Sequence, residues 1–249
     1  MVLQEYKVWD ATTRVFHWVN VLCMVGLIAL GTTILNASSL GIPNSGKIIL
    51  KTVHVWVGYV FILNLLWRLI WAFIGGPFAR WRAILPFGSG YTEKLSKELA
   101  ALRGQSASHS HTTYAGHSPL GRIAVTILLL CLVIQGVSGI VLAGTDVYMP
   151  PLGGFFAEWV AADGLSASQV LPYAPDTVNP DAYAEMRALR SPFYQTHEFT
   201  YFVLLGLIAL HIFAVVLTDI KRGGGIISAM FTGKKVFATP PEDISESQE

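Results

Sequence analysis

The 249-residue chain carries too little charge for a water-soluble protein of its size. Hydrophobic residues make up 53% of it and charged residues only 13%, about half of the roughly 25% that is typical of globular domains. Lipid is therefore the solvent that the composition predicts, and a formal net charge of +1 excludes a general case for nucleic-acid binding. Seven histidines are unusual in so apolar a chain, and the predicted function depends on their positions.

Four apolar segments are long enough to cross a bilayer, whose hydrocarbon core of about 30 Å requires roughly 20 helical residues. They cover residues 15–35, 53–74, 120–143 and 198–218, and each ends in a segment rich in glycine, proline or asparagine or in charged residues. The predicted fold is all-α, an integral membrane four-helix bundle that makes residues 1–249 a single membrane domain. Residues 236–249 are predicted to form a disordered tail.

The basic residues predict the orientation of the spans. If the N-terminus is inside, thirteen of the seventeen lysines and arginines lie on the inner side, and the outer loops hold only Lys47, Lys51, Arg187 and Arg190. Both termini are therefore predicted to be cytoplasmic, in a multi-pass membrane protein.

The outer loop between the third and fourth spans, residues 144–196, is longer than a helical hairpin requires. It is rich in proline and aromatic residues, and it contains a short amphipathic stretch at 155–162. Two interpretations remain open: a docking surface for a partner outside the membrane, and an ordered lid over the bundle.

Four histidines lie within the predicted spans or at their ends, where ionisable residues are costly and usually functional. His197 and His211 are fourteen residues apart on the fourth span, which places them within about 40° of one helix face and about 21 Å apart along the axis. Because successive spans alternate in direction, His54 lies at the outer level of His197. His17 lies towards the inner level of His211.

Each level thus holds two imidazoles from different helices, with no cysteine or carboxylate to complete a zinc shell. This set of donors is typical of the axial ligation of b-type haem in the core of a helix bundle. The sequence predicts two bis-histidine haem b sites, an outer one at His54 and His197 and an inner one at His17 and His211. No catalytic residue is predicted.

Cations near the ends of the spans are candidates for contacts with haem propionates or with a quinone. They are Arg14, Arg68 and Arg122 on the inner side and Lys51 on the outer side. Anchoring at the membrane surface is the competing explanation for these residues.

The three remaining histidines lie outside the spans. His117 opens the third span on the inner side and is a candidate for a propionate or quinone contact, or it is an interfacial histidine. His109 and His111 lie in a segment rich in serine and threonine and are predicted to be solvated.

Several motifs together resemble one known family. VWDATTRVFHW at 8–18 is similar to an opening motif VWEAPVRLWHW, and GHSPL at 116–120 is similar to GHNPL. In the second span, His54 is followed by GY at 58–59 and by RLIWAF at 68–73, and both are similar to motifs of the same family. The segment ISAMFTGK at 227–234, after the fourth span, also matches. These motifs resemble the di-haem cytochrome b subunits of membrane-bound nickel–iron hydrogenases, in the bacterial cytochrome b561-like superfamily.

The resemblance implies that the family's axial ligands fall on His17, His54, His197 and His211. It also implies a subunit that accepts electrons from a periplasmic catalytic partner and passes them through two haems to the quinone pool. The sequence departs from the family where His197 is followed by Glu198 rather than by a second histidine, and along the outer loop. A hydrogenase-like subunit and a c-type cytochrome therefore both remain candidates for the periplasmic partner.

Two other classes of function compete with this interpretation. One is a stand-alone cytochrome b that oxidises quinol without a partner, against which the long outer loop argues. The other is a haem-free transporter or membrane anchor, which would leave the level-matched histidines unexplained and lacks the broken spans of transport sites.

Overall fold

The computed structural model describes residues 3–104, 113–223 and 225–244. Its long helices are α1 (Ala11–Leu35), α2 (Asn44–Ile74), α5 (Pro119–Asp146) and α7 (Pro180–Arg222). The shorter helices are α3 (Trp81–Ile84), α4 (Tyr91–Leu102), α6 (Gly153–Val160) and α8 (Ile226–Thr232). Two short strands, β1 (Gln4–Lys7) and β2 (Lys234–Phe237), pair antiparallel, and 3₁₀ turns occupy Pro77–Ala79, Ala167–Gln169 and Pro175–Thr177.

Among the described residues, four helices are long and apolar enough to cross a membrane by length and composition: α1, α2, α5 and α7. This agrees with the predicted all-α fold and the predicted number of spans. The helices α2 and α7 begin earlier than the spans predicted at 53–74 and 198–218. Hydropathy detects only the apolar part of a helix, and the first residues of α2 include Lys47 and Lys51.

Helix α7 extends far into the segment predicted to be the outer loop. Asn179 caps its start, because the Asn179 Oδ1 accepts hydrogen bonds from the backbone N–H groups of Asp181 and Ala182 at 3.0 and 3.1 Å. Pro180 occupies the first helical position, where its missing N–H is not needed. The helix also continues through Pro192, so a proline within a helix does not end this one.

The chain divides into two compact units. The first unit comprises residues 1–18, 66–130 and 205–249, and the second comprises residues 19–65 and 131–204. Each of the four long helices contributes residues to both units.

In the first unit, the two ends of the chain meet in the β1–β2 pair, whose register joins Gln4 to Phe237 and Lys7 to Lys234. A small core of Val8, Trp9, Ala115 and Ala229 lies beside it. Part of the tail predicted to be disordered at 236–249 is ordered, because the Asp243 carboxylate accepts hydrogen bonds from the backbone N–H groups of Ala115 and Gly116 at 2.6 and 2.7 Å. Residues 245–249 lie outside the described residues.

In the second unit, the segment between α5 and α7 has a hydrophobic core of its own. The buried residues of this core come from α6, the 3₁₀ turns and the first turns of α7: Phe156, Ala157, Val160, Val170, Val178 and Met186. Helix α6 closely matches the amphipathic stretch predicted at 155–162. The segment is therefore a packed substructure rather than an irregular loop.

Asp10 connects the start of α1 to the end of α2 within the first unit. Its Oδ1 caps α1 by accepting the backbone N–H of Thr13 at 2.7 Å. Its Oδ2 accepts the indole N–H of Trp71 at 3.0 Å and the backbone N–H of Gly76 at 3.3 Å. Burial raises the pKa of this carboxyl group, but the hydrogen bonds from Thr13, Trp71 and Gly76 outweigh burial, and the pKa lies below its ordinary value of 3.8.

We expect Asp10→Ala to lower the free energy of unfolding by about 1–3 kcal/mol, because it removes a helix cap and leaves the Trp71 indole N–H without its acceptor. Thermal unfolding of the detergent-solubilised protein measures this loss. Because the folded pKa is depressed, the contribution of Asp10 is present above the ordinary pKa and disappears as the pH falls through the folded pKa.

The matched control is Glu5→Gln, which removes an exposed ion pair with Lys234 at 2.7 Å. An exposed pair of this kind contributes at most about 1 kcal/mol. Unfolding of the Asp10→Ala protein at the wild-type temperature would show that the carboxylate does not hold these elements together.

Candidate functional site

His54 and His197 face each other across a cavity in the second unit. His54 lies on α2 and His197 on α7, and their ring centres are 6.4 Å apart with the ring planes at 71°. Both residues line a cavity of about 380 Å³ whose walls come from α1, α2, α5 and α7, together with Tyr173 from the segment before α7. The predicted pairing of His54 with His197 therefore corresponds to two residues that are adjacent in space.

The distance between the two rings suits one metal ion held between two imidazoles. An imidazole nitrogen binds a first-row metal ion at about 2 Å, and the ring centre lies about 1 Å behind the nitrogen, so opposed ligands have ring centres about 6 Å apart. Among the described residues, no group of three or more His, Cys, Asp or Glu side chains could hold a metal ion. The pair therefore fits a metal ion that brings its own equatorial ligands, as haem iron does.

Two glycines leave room beside these rings. A Cβ on Gly31 would lie 3.5 Å from the Cε1 of His54, and a Cβ on Gly139 would lie 3.3 Å from the Cε1 of His197. The second distance is tighter than most contacts of a real Cβ, so a side chain at position 139 would force the His197 ring to move. The glycines at these positions thus contribute to the space that a planar cofactor needs.

His17 on α1 and His211 on α7 both belong to the first unit. The Nδ1 of His17 is buried and has no hydrogen-bond partner among the described residues. The Trp18 ring meets the His17 ring edge-on at 5.2 Å, and the Trp18 indole N–H donates to the Met230 carbonyl at 3.0 Å. Helix α8 therefore supports the residue next to His17.

Asp146 joins three helices at the wall of the cavity that contains His54 and His197. Its carboxylate pairs with the Nζ of Lys51 on α2 at 2.6 Å and with the guanidinium of Arg190 on α7, whose Nη2 donates at 3.0 Å. The three side chains are 11–20% exposed, and all three residues line the cavity. Lys51, a candidate for a propionate contact, is thus part of a network with two cations and one anion.

The three arginines predicted as propionate or quinone contacts all donate hydrogen bonds to backbone carbonyls of the first unit. Arg14 donates to the carbonyl of Phe231, and the buried Arg68 donates to that of Ala79 at 3.1 Å. Arg122 donates to the carbonyls of Arg82, Leu85 and Phe87. These contacts hold helix α8 and the segment that follows α2 in place. The arginines therefore have structural roles as well.

His117 lies at the start of α5, against the Trp9 ring at 5.0 Å between ring centres. Burial and the nearby charges of Lys235, Arg68 and Arg122 lower the pKa of His117 to about 3, so this imidazole is neutral. Burial also lowers the pKa of Lys235 to about 8, and its Nζ donates to the Ala115 carbonyl at 2.7 Å. His109 and His111 lie outside the described residues.

Three residues that shape the site are not predicted from the sequence: Ser138, Asp146 and Arg190. The sequence places Arg190 in the outer loop, because the apolar part of the helix begins only near residue 198. Asp146 lies three residues beyond the predicted span 120–143. Its acidic side chain at the end of a span is the one feature of the sequence that could have indicated its role. Ser138 is a small polar residue within an apolar helix, a pattern that does not reveal its partner.

We expect Asp146→Asn to lower the free energy of unfolding by about 3–5 kcal/mol, because it leaves Lys51 and Arg190 partly buried without a counter-charge. Lys51→Met should cost less, because Asp146 keeps its two hydrogen bonds from Arg190. Thermal unfolding in detergent measures the loss of stability in each of the two variants.

Lys47→Met is the control, because Lys47 lines the same cavity and makes no ion pair among the described residues. An equal loss of stability in the Lys51→Met and Asp146→Asn proteins would contradict the central position of the carboxylate.

Comparison with known proteins is consistent with a cytochrome. Residues 8–233 match the family model described as Prokaryotic cytochrome b561. A protein of Rhizobium leguminosarum bv. viciae named "Probable Ni/Fe-hydrogenase B-type cytochrome subunit" is 24% identical over 247 residues, which cover 94% of this chain and 90% of the relative. A protein of the same name from Cupriavidus necator is 24% identical over 236 residues, with 92% and 86% covered.

A shorter match is a protein of Escherichia coli (strain K12) named "Probable Ni/Fe-hydrogenase 1 B-type cytochrome subunit". It is 28% identical over 137 residues, which cover 51% of this chain and 57% of the relative. The family model, by contrast, spans most of the chain and includes all four histidines of the two pairs. The chain therefore belongs to the prokaryotic cytochrome b561 family, and it is a membrane cytochrome of the b type.

Proposed function

We propose that this cytochrome is the membrane electron-transfer subunit of an oxidoreductase complex, which carries electrons between a periplasmic redox partner and the quinone pool. The observation that carries the proposal is the His54–His197 pair, two imidazoles from different helices at a metal-spanning distance across a cavity. His54 and His197 would hold the outer haem b, and His17 and His211 the inner one. Haem bound between two imidazoles supplies one-electron transfer.

The orientation is part of the proposal. Both termini lie in the cytoplasm of a bacterium, and the four helices span its inner membrane, as the excess of lysine and arginine on one side favours. His54 and His197 are then nearer the periplasm, and His17 and His211 are nearer the cytoplasm.

A periplasmic subunit would dock on the segment between α5 and α7. Relatives named as nickel–iron hydrogenase subunits support a hydrogenase-like partner, and a c-type cytochrome is the alternative. Two observations support docking there: the segment has a packed core of its own, and it exposes Phe155, with Leu189 of α7 exposed as well. A preformed surface with exposed aromatic and aliphatic side chains is typical of protein interfaces.

The quinone would react on the inner side, near His17 and His117. Reduction of a quinone to a quinol takes up two electrons and two protons, so the site must offer hydrogen bonds to the quinone oxygens. His117 is neutral, and its Nδ1 has no hydrogen-bond partner among the described residues. A neutral imidazole can serve a carbonyl or a hydroxyl group, which suits both redox forms of the ligand.

The purified protein is expected to contain two low-spin b haems per chain, measured by the reduced-minus-oxidised optical spectrum and by pyridine haemochrome analysis. His54→Ala and His197→Ala should each remove the outer haem, so both variants should retain the same single haem, the inner one. His17→Ala and His211→Ala should each retain the other haem, because each pair of ligands belongs to one site.

The control for these variants is His117→Gln, which changes a histidine outside both pairs and should leave two haems. A wild-type protein without haem would refute the proposed function. Loss of both haems in every single variant would refute the pairing.

A reduced naphthoquinone should reduce both haems of the wild-type protein, because the quinone exchanges electrons at the inner site. The His54→Ala protein, which retains only the inner haem, should still be reduced by the quinol in a stopped-flow measurement. The outer haem of the His211→Ala protein should be reduced slowly or not at all. Equal rates in the two variants would contradict an inner quinone site. Rapid reoxidation by oxygen would favour a stand-alone quinol oxidase.

A further inference from the structure

We propose that Ser138 is a positioning residue, which fixes the ring orientation and the tautomer of His197 so that its Nε2 faces the cavity as a ligand. The inference rests on the proposed function in one respect, namely that His197 is a haem ligand. Ser138 lies on α5 and is 2% exposed, and its Oγ is 2.9 Å from the Nδ1 of His197. Nothing in the family resemblance assigns a role to this serine.

The direction of this hydrogen bond follows from the other contacts of the hydroxyl group. A serine hydroxyl has one hydrogen to donate and two lone pairs that accept. The Ser138 hydrogen is directed to the Ile134 carbonyl at 2.7 Å, with the Gln135 carbonyl further away at 3.2 Å. The Oγ therefore faces His197 with a lone pair, and the Nδ1 of His197 must carry the proton.

This assignment fixes the tautomer of His197. With the proton on Nδ1, the lone pair of the neutral ring is on Nε2, which is the form that a metal ion requires. The Ser138 hydroxyl thus selects one tautomer of His197.

The neighbouring Gly139 confines the same ring from another side. Its absent Cβ would lie 3.3 Å from the Cε1 of His197 and 3.8 Å from the Nδ1. Ser138 and Gly139 therefore position the His197 ring together. The hydrogen bond to Ser138 sets the rotation of the ring, and the absence of a side chain at Gly139 leaves space for it.

The opposite ligand does not have this support. The Nδ1 of His54 is buried and has no hydrogen-bond partner in the part of the chain that the structure describes. Hydrogen bonding from the distal ring nitrogen makes an imidazole a more basic ligand and fixes its plane. His197 is thus the anchored and more basic ligand of the pair, and His54 is the weaker one.

The test compares Ser138→Ala with the wild-type protein in full-length, haem-loaded form by optical redox titration. Without its acceptor, His197 becomes a poorer donor to ferric iron, so the midpoint potential of the haem at this site should rise. The expected shift is up to about tenfold in the ratio of reduced to oxidised haem, or about 59 mV. Haem should also dissociate about tenfold more readily from this site.

Two further variants separate positioning from a general effect on the helix. Ser138→Thr keeps the oxygen and should restore the wild-type potential. Thr145→Ala on the same helix removes a buried hydroxyl that also bonds to the carbonyl four residues back, Val141 at 3.0 Å, and it should leave both potentials unchanged.

The possible results lead to distinct conclusions. A Ser138→Ala protein with two haems, an unchanged potential and unchanged haem retention would overturn the positioning role and leave the proposed function intact. An equal shift in Thr145→Ala would also overturn it, because the effect would then come from the helix. Absence of haem from the wild-type protein would overturn the proposed function itself.

Discussion

One carboxylate joins three of the four helices around the His54–His197 cavity. Asp146 on α5 binds Lys51 on α2, three residues before His54, and Arg190 on α7, seven residues before His197. The ion pairs therefore lie about one helical turn from one imidazole and about two turns from the other. These charges are mostly shielded from solvent, and the helices that they join to α5 carry the two rings whose centres are 6.4 Å apart.

Ion pairs and a single hydrogen bond have different roles around this cavity. The ion pairs of Asp146 join α2 and α7 to α5. The hydrogen bond of the Ser138 hydroxyl sets the orientation of the His197 ring. Gly31 and Gly139 leave the space that the rings and a planar cofactor need. If His54 and His197 hold a haem, as proposed, a rigid frame of this kind would allow electron transfer with little movement of the two imidazoles.

The sequence was sufficient for the features that depend on one-dimensional periodicity. Four apolar runs indicated four spans, and the alternating direction of the spans indicated that His54 lies at the level of His197. It was not sufficient where rotation of the helices decides the contact. Whether Asp146 meets Lys51, or Ser138 meets His197, depends on which face each helix turns to its neighbours. The sequence predicts no part of α7 before residue 198 because hydropathy detects only the apolar part of this helix, although Asn179 and Pro180 carry a capping pattern.

The pairing of β1 with β2 has a consequence for biosynthesis. The first strand leaves the ribosome more than two hundred residues before its partner, so the apolar helices can enter the membrane while this sheet is still missing. The carbonyls of Met230 and Phe231 that bind Trp18 and Arg14 are also made late, and so is Asp243, which holds Ala115 and Gly116. The surroundings of His17 and His117 are therefore completed only after all four long helices have been made.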